Sequence, residues 1–168
     1  MRNIYLVGFM GTGKTTVAKI LAKKLSKKFV EMDQVIEQEE GKKIKDIFAE
    51  DGETYFRKLE KELLDKLSSQ TDLVVSCGGG LVCNEKNLKI LKESGYLFSL
   101  HACPSSIFKR VKNSNQRPLL NVKNPLEKIG QLLRARSPYY EKAGLKVNTD
   151  KLSAQEVADY ILNFLKNG

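Results

Sequence analysis

The chain has 168 residues, 41% hydrophobic and 29% charged, with 29 lysines and arginines against 20 aspartates and glutamates, a formal surplus of nine positive charges. A chain this long buries about 70% of the surface its unfolded form exposes, so it is expected to fold as one domain without disulfide staples. The balanced composition excludes disorder, and the absence of any apolar run near the roughly 18 residues of a membrane span excludes a spanning helix; the run over 4–11 is too short for either a span or a secretory leader.

Residues 3–7 read as a strand, and 15–25 as a helix with Val17, Ile20, Leu21 and Leu25 on one face. A short strand over 29–32 follows, then short helices over 33–40 and 44–50 separated at Gly41, and a longer helix over 53–67. The apolar run 73–77 reads as a third strand ending in three glycines, after which Asn84 is placed to cap a helix reaching Lys92. A fourth strand spans 96–100, Pro104 suits the first turn of a helix, and 145–147 is a last strand. Ser153 and Glu156 have capping-box spacing ahead of a helix that buries Val157, Ile161, Leu162 and Leu165. Strands alternating with helices predict an α/β fold of three layers, a five-stranded parallel sheet between helices, with ligands at the carboxyl ends of the strands. Two stretches fit this frame poorly, the helices between the second and third strands and the polar segment 112–124.

Gly8-Phe9-Met10-Gly11-Thr12-Gly13-Lys14-Thr15 follows a strand and opens a helix. In that context the glycines let backbone N–H groups turn toward phosphate oxygens, the helix N-terminus adds partial positive charge, Lys14 reaches the β and γ phosphates, and Thr15 offers a hydroxyl to Mg²⁺. The strands over 73–77 and 96–100 lead into Gly78 and His101 rather than an aspartate, and no Asn-Lys-x-Asp sequence is present, which disfavours motor ATPases and GTPases. Asp33, just beyond the second strand, is placed to align an acceptor hydroxyl and take its proton. Glu31, two residues earlier, is placed to hold the metal through water. Gly78, Gly79 and Gly80 offer unobstructed backbone N–H groups to a substrate oxygen.

Most of the cations are lysines, which read as solvated helix faces, whereas arginine occurs only at 2, 57, 110, 117, 134 and 136. A lysine-preferring chain is expected to keep arginine where the planar fork for carboxylate or phosphate matters. Cys77, Cys83 and Cys103 lack metal-ligand spacing and suit reduced thiols in a cytoplasmic protein. The single His101 is expected to serve packing at a strand end.

The ordered set of motifs resembles one family, shikimate kinase, within the P-loop kinases that include the nucleoside monophosphate kinases. It runs from the Gly8–Thr15 loop through Asp33, Ile36-Glu37, Ile47-Phe48, Asp51-Gly52-Glu53, Phe56-Arg57 and the three glycines to Arg117-Pro118-Leu119-Leu120 and Arg136-Ser137-Pro138-Tyr139-Tyr140. The resemblance implies one P-loop kinase domain over 1–168, with 33–60 as the shikimate-binding segment and 112–124 as a lid. It implies that Gly11, Thr12, Gly13, Lys14, Thr15 and Thr16 hold ATP together with Arg110 near the adenine and Arg117 from the lid, and that Asp33, Arg57, Gly78, Gly79, Gly80 and Arg136 hold shikimate. Lys14, Asp33 and Arg117 would carry the catalysis, and Thr15 and Glu31 would serve Mg²⁺. Glu31 departs from the family pattern, which has aspartate there, and residues 148–153 match the adenine-side segment only loosely.

The activity implied is transfer of the ATP γ-phosphoryl group to the 3-hydroxyl of shikimate, in aromatic amino acid biosynthesis, by a cytoplasmic monomer that engages neither nucleic acid nor membrane. A kinase of gluconate or a nucleoside monophosphate is the alternative within enzymes. A basic nucleic-acid-binding module is the alternative outside them, and the lack of a basic-aromatic groove counts against it.

Overall fold

The computed structural model describes residues 2–113 and 122–168. Five parallel strands, β1 (Asn3–Gly8), β2 (Lys28–Glu31), β3 (Leu73–Ser76), β4 (Gly95–His101) and β5 (Leu145–Asn148), form one sheet in the order β2-β3-β1-β4-β5. Helices α1 (Lys14–Leu25), α2 (Met32–Glu40), α3 (Ile44–Glu50), α4 (Glu53–Ser68), α5 (Glu85–Ser94), α6 (Pro104–Val111), α7 (Pro125–Glu141) and α8 (Ala154–Asn167) cover it.

The period of two in β1 divides the core. Tyr5 and Val7 point into a cluster shared with α2 through α7, while Ile4 and Leu6 pack on α1 and α8. Every residue of β1 and β3 is buried, as central parallel strands covered on both faces must be. Each fully buried Leu, Ile or Val here contributes about 1.5–3 kcal/mol relative to exposure.

The capping expectations hold. Asn84 Oδ1 accepts from Lys86 N at 2.9 Å, and Ser153 and Glu156 form a reciprocal capping box. β2 ends one residue earlier than its apolar pattern suggests, because Met32 is fully buried in the first turn of α2. Asp33 is therefore the second residue of α2 rather than its first.

The largest omission of the sequence reading is α7, a helix of 17 residues. Pro138 lies within it and argues against a helix on propensity grounds. The start signals were nevertheless present: Asn124 caps Glu127 N at 3.3 Å and Pro125 occupies the first turn. Residues 114–121, which include Arg117 and most of the expected lid, lie outside the described residues.

Candidate active site

β1 delivers the phosphate loop to the carboxyl end of the sheet. Gly11 and Gly13 have φ of 72° and 96°, a region that L side chains rarely occupy, and a Cβ on Gly11 would stand 2.8 Å from Val111 Cγ1 of α6. Buried Thr12 donates its hydroxyl to Phe9 O at 2.8 Å, and the Lys14 ammonium lies across the loop, donating to Gly8 O at 2.7 Å and Phe9 O at 2.9 Å. No side chain caps the N-terminus of α1 and no acid occupies its first turn, so its partial positive charge is left for an anion. Thr16 is exposed in that same turn.

Beside the loop, three oxygen-bearing side chains meet. The Thr15 hydroxyl donates to the Glu31 carboxylate and lies 3.3 Å from Ser76 Oγ. Glu31 and Ser76 are register partners at the ends of β2 and β3. The extra methylene of glutamate thus lets Glu31 reach Thr15 directly. Among the described residues no three His, Cys, Asp or Glu side chains gather as a metal cage. A hydroxyl plus one carboxylate is nevertheless a fitting partial set for Mg²⁺, which keeps several waters and completes its shell with substrate phosphates.

Across from the loop, α2 and α4 supply the other groups. Asp33 retains some exposure as a residue, but its Oδ1 is cut off from solvent and has no hydrogen-bond partner. Burial pushes its carboxyl above the ordinary carboxylate range, Glu31 adds to that, and the Lys14 ammonium opposes it. Glu60, 1% exposed, receives Arg57 Nη1 at 2.6 Å through its Oε2, while its Oε1 is also without a partner. Burial raises its pKa and the Arg57 charge offsets only part of the rise.

The three glycines explain themselves by what crowds them. A Cβ on Gly78 would lie 2.5 Å from Glu60 Oε1 and 3.1 Å from Asp33 Oδ1; on Gly79, 3.3 Å from Arg136 Nη1; on Gly80, 2.5 Å from both Arg57 Nη1 and Nη2. Two buried, unpartnered carboxyl oxygens and two guanidinium groups thus converge on one backbone turn. Helix α7 brings Arg136 there and also Tyr140, whose hydroxyl donates to Gly79 O at 2.6 Å. Burial pushes the Tyr140 phenol up to about 12, so it stays a donor at neutral pH.

On the far flank Arg110 donates to Gly11 O at 3.1 Å, Thr149 Oγ1 at 3.1 Å and Thr149 O at 2.9 Å, pinning the phosphate loop to the segment after β5. That segment is itself tied to the start of α6 by Cys103 N donating to Asp150 Oδ1 at 2.8 Å. His101 serves packing as expected: its ring meets Ser99 Oγ at 3.0 Å and stands edge-on to Tyr140. The three cysteines are unpaired.

A sequence model of the shikimate kinase family matches residues 10–166. A shikimate kinase from a Sulfurihydrogenibium species is 47% identical over 99% of both chains, and one from Thermodesulfovibrio yellowstonii is 46% identical over 96% of this chain and 94% of its own. The chain belongs to the shikimate kinase family. Among solved structures, shikimate kinase from Acinetobacter baumannii in complex with shikimate superposes with a TM-score of 0.94 at 36% identity, covering 99% of this chain and 94% of that one.

Within this member of the shikimate kinase family Asp33, Arg57 and Arg136 lie against Gly78–Gly80, Lys14, Thr15 and Glu31 lie at the phosphate loop, and Arg110 bonds Gly11, while Arg117 lies outside the described residues. The structure adds Glu60, Ser76 and Tyr140. The first had a signal in the sequence, an acid three residues after Arg57 and so on the same helix face. The other two depend on strand register and on α7. A groove of about 380 Å³ on the open edge of β2, lined by Phe29, Val35, Leu67, Lys28, Glu39 and Lys66 among others, adjoins the site through Glu31.

Proposed function

We propose that the chain transfers the γ-phosphoryl group of ATP to the 3-hydroxyl of shikimate, giving 3-phosphoshikimate on the route to chorismate and the aromatic amino acids. The observation that carries this reading is the convergence of Asp33, Arg57 and Arg136 on Gly78–Gly80, opposite a phosphate loop whose Lys14 acts on Asp33 electrostatically. Shikimate has a carboxylate for guanidinium forks and hydroxyls for the partnerless carboxyl oxygens, so both halves of the site find a complement.

In this assignment Gly11 through Thr16 surround the phosphates, and Arg110 holds the loop while flanking the adenine. Arg57 and Arg136 fix the acceptor carboxylate. Asp33 orients the hydroxyl and accepts its proton as the new O–P bond forms and the bond to the departing ADP breaks. A carboxyl raised toward neutrality is a better base for that step than an ordinary one. Mg²⁺, bound through Thr15 and Glu31, would supply charge neutralisation to the phosphates. Glu60 positions Arg57. Arg117 would act from a lid over 112–124, with 33–60 as the acceptor segment, all within a single domain working as a cytoplasmic monomer. The unpaired thiols agree with a reducing compartment.

Coupled measurement of ADP release with shikimate, gluconate and AMP offered separately tests the assignment. Shikimate alone should support turnover, and turnover with only one of the others would transfer the site to that acceptor. Arg136→Lys keeps the charge but loses the fork, so the KM for shikimate should rise about 10–100-fold while the KM for ATP changes little; an unchanged shikimate KM would remove Arg136 from the acceptor site. Gly80→Ala should displace the Arg57 guanidinium and raise the same KM about tenfold, a loss of about 1.4 kcal/mol. The displaced atoms are the end of a flexible side chain, so Tm should fall no further than in Arg57→Ala, which likewise leaves buried Glu60 without its partner. A fall beyond that would instead mean that the backbone turn itself had broken.

A further inference from the structure

The positive surplus is concentrated. Residues 104–140 hold eight lysines and arginines against one acid, Glu127, a surplus of seven of the chain's nine, whereas residues 1–103 hold 17 against 15 and residues 141–168 hold four of each. Elsewhere many cations are answered, Lys24 by Asp159 and Lys146 by Glu141, each at 2.6 Å, and Lys42 by Asp51 at 2.6 Å and Glu50 at 2.9 Å. Among the described residues, Lys109, Lys112, Lys123, Lys128 and Arg134 form no ion pair, and all but half-buried Lys128 are exposed.

These residues sit on or beside α6 and α7, which pack against each other and flank the phosphate loop. Ile107 and Val111 of α6 stand where a Cβ on Gly11 would fall, at 3.3 Å and 2.8 Å, and Arg110 bonds Gly11 O. Lys109 and Lys112 are within two residues of Arg110, a Cα separation of about 4–6 Å along a helical path, which is shorter than the screening length of about 8 Å at physiological ionic strength. At the floor of the site Lys14, Arg57 and Arg136 face Glu31, Asp33 and Glu60, so formal charges largely offset there and the uncapped α1 N-terminus attracts an anion at close range. The unbalanced charge of the α6–α7 flank adds the longer-range pull on a nucleotide polyanion.

We propose that the α6–α7 face is an electrostatic collector that speeds capture of the anionic nucleotide without taking part in the chemical step. The inference rests on the ATP-dependent reading above. A polynucleotide is a poorer match, because Tyr139 is the single exposed aromatic among the described residues of this stretch, and strand-tracking surfaces stack successive bases on several.

Stopped-flow association of a fluorescent ATP analogue tests it with two charge-matched triple variants, Lys109→Gln with Lys128→Gln and Arg134→Gln on this face, and Lys23→Gln with Lys86→Gln and Lys166→Gln elsewhere. At about 10 mM ionic strength, where screening extends to about 30 Å, the first should lower the association rate about tenfold and the second less than about twofold. The difference should close at about 1 M salt, and kcat at saturation should match the wild type in both. Equal effects of the two triples, or an unchanged salt dependence in the first, overturn the collector. Failure of the wild type to bind the analogue would count against the ATP reading itself. Retention of a random 20-mer oligonucleotide at physiological salt, lost only in the first triple, would overturn the proposal in favour of a polynucleotide surface.

Discussion

Asp33→Asn is expected to lower kcat by about 10²–10⁴-fold, the range for removing a positioned general base, while leaving the protein folded and more stable near neutral pH. The two effects share one cause. In the native protein burial, followed by the neighbouring Glu31, favours the neutral carboxyl and lifts its pKa above the ordinary 3.8. Between that ordinary value and the raised native one, the folded state holds a proton that the unfolded state has released, so wild-type stability declines as pH rises through this window. An amide has no charge to desolvate and escapes the decline. Thermal denaturation should therefore show the variant above the wild type at pH 7 and level with it near pH 3, below both pKa values. Turnover within tenfold of wild type would remove Asp33 from the proton-accepting role. A variant less stable at pH 7 would show that the buried carboxylate has partners that compensate it.

The phosphate loop was legible in the sequence because its chemistry is local: eight consecutive residues carry the glycines, the ammonium and the hydroxyl, and the flanking strand and helix announce themselves by period. Asp33 was legible for a similar reason, since in a parallel sheet a residue just past a strand falls at the carboxyl edge. Glu60 is different. Its spacing from Arg57 shows only a helical ion pair of the kind that is ordinarily solvated; that this pair is pressed against Gly78 and Gly80 follows from how α4 packs beside the turn after β3, which periodicity does not encode. Ser76 depends on register with Glu31, and short apolar strands leave register open. Arg136 was named through the family resemblance, but Tyr140 needed α7, where Pro138 masks a helix that tertiary packing of Ile129 and Tyr140 sustains. The concentration of the positive surplus was hidden for a further reason. Lysines are distributed almost evenly along the chain and read as solvated faces, whereas the uneven partners are the acids, which nearly vanish between 104 and 140. Counting cations alone conceals this.

Lys14→Ala is expected to cost about two orders of magnitude in kcat/KM or more, equivalent to about 3 kcal/mol of transition-state stabilisation lost with one charge partner. The structure adds a second consequence. The Lys14 ammonium is the leading influence holding the Asp33 carboxyl down against burial and Glu31. Without it, the Asp33 pKa should rise further, and the ascending limb of the pH profile for the residual activity should move to higher pH. Lys14→Arg separates the two roles. A guanidinium restores positive charge near Asp33 and should return the limb toward its wild-type position. Its bulk and planar fork do not reproduce an ammonium that spans Gly8 O and Phe9 O at 2.7 Å and 2.9 Å, so the rate should stay well below wild type. Near-normal turnover in the alanine variant would overturn the assignment of Lys14 to the phosphates. A lowered rate with an unmoved limb would keep that assignment but sever its link to Asp33, leaving the proton-accepting carboxylate to be set by burial, Glu31, Glu37 and Arg57.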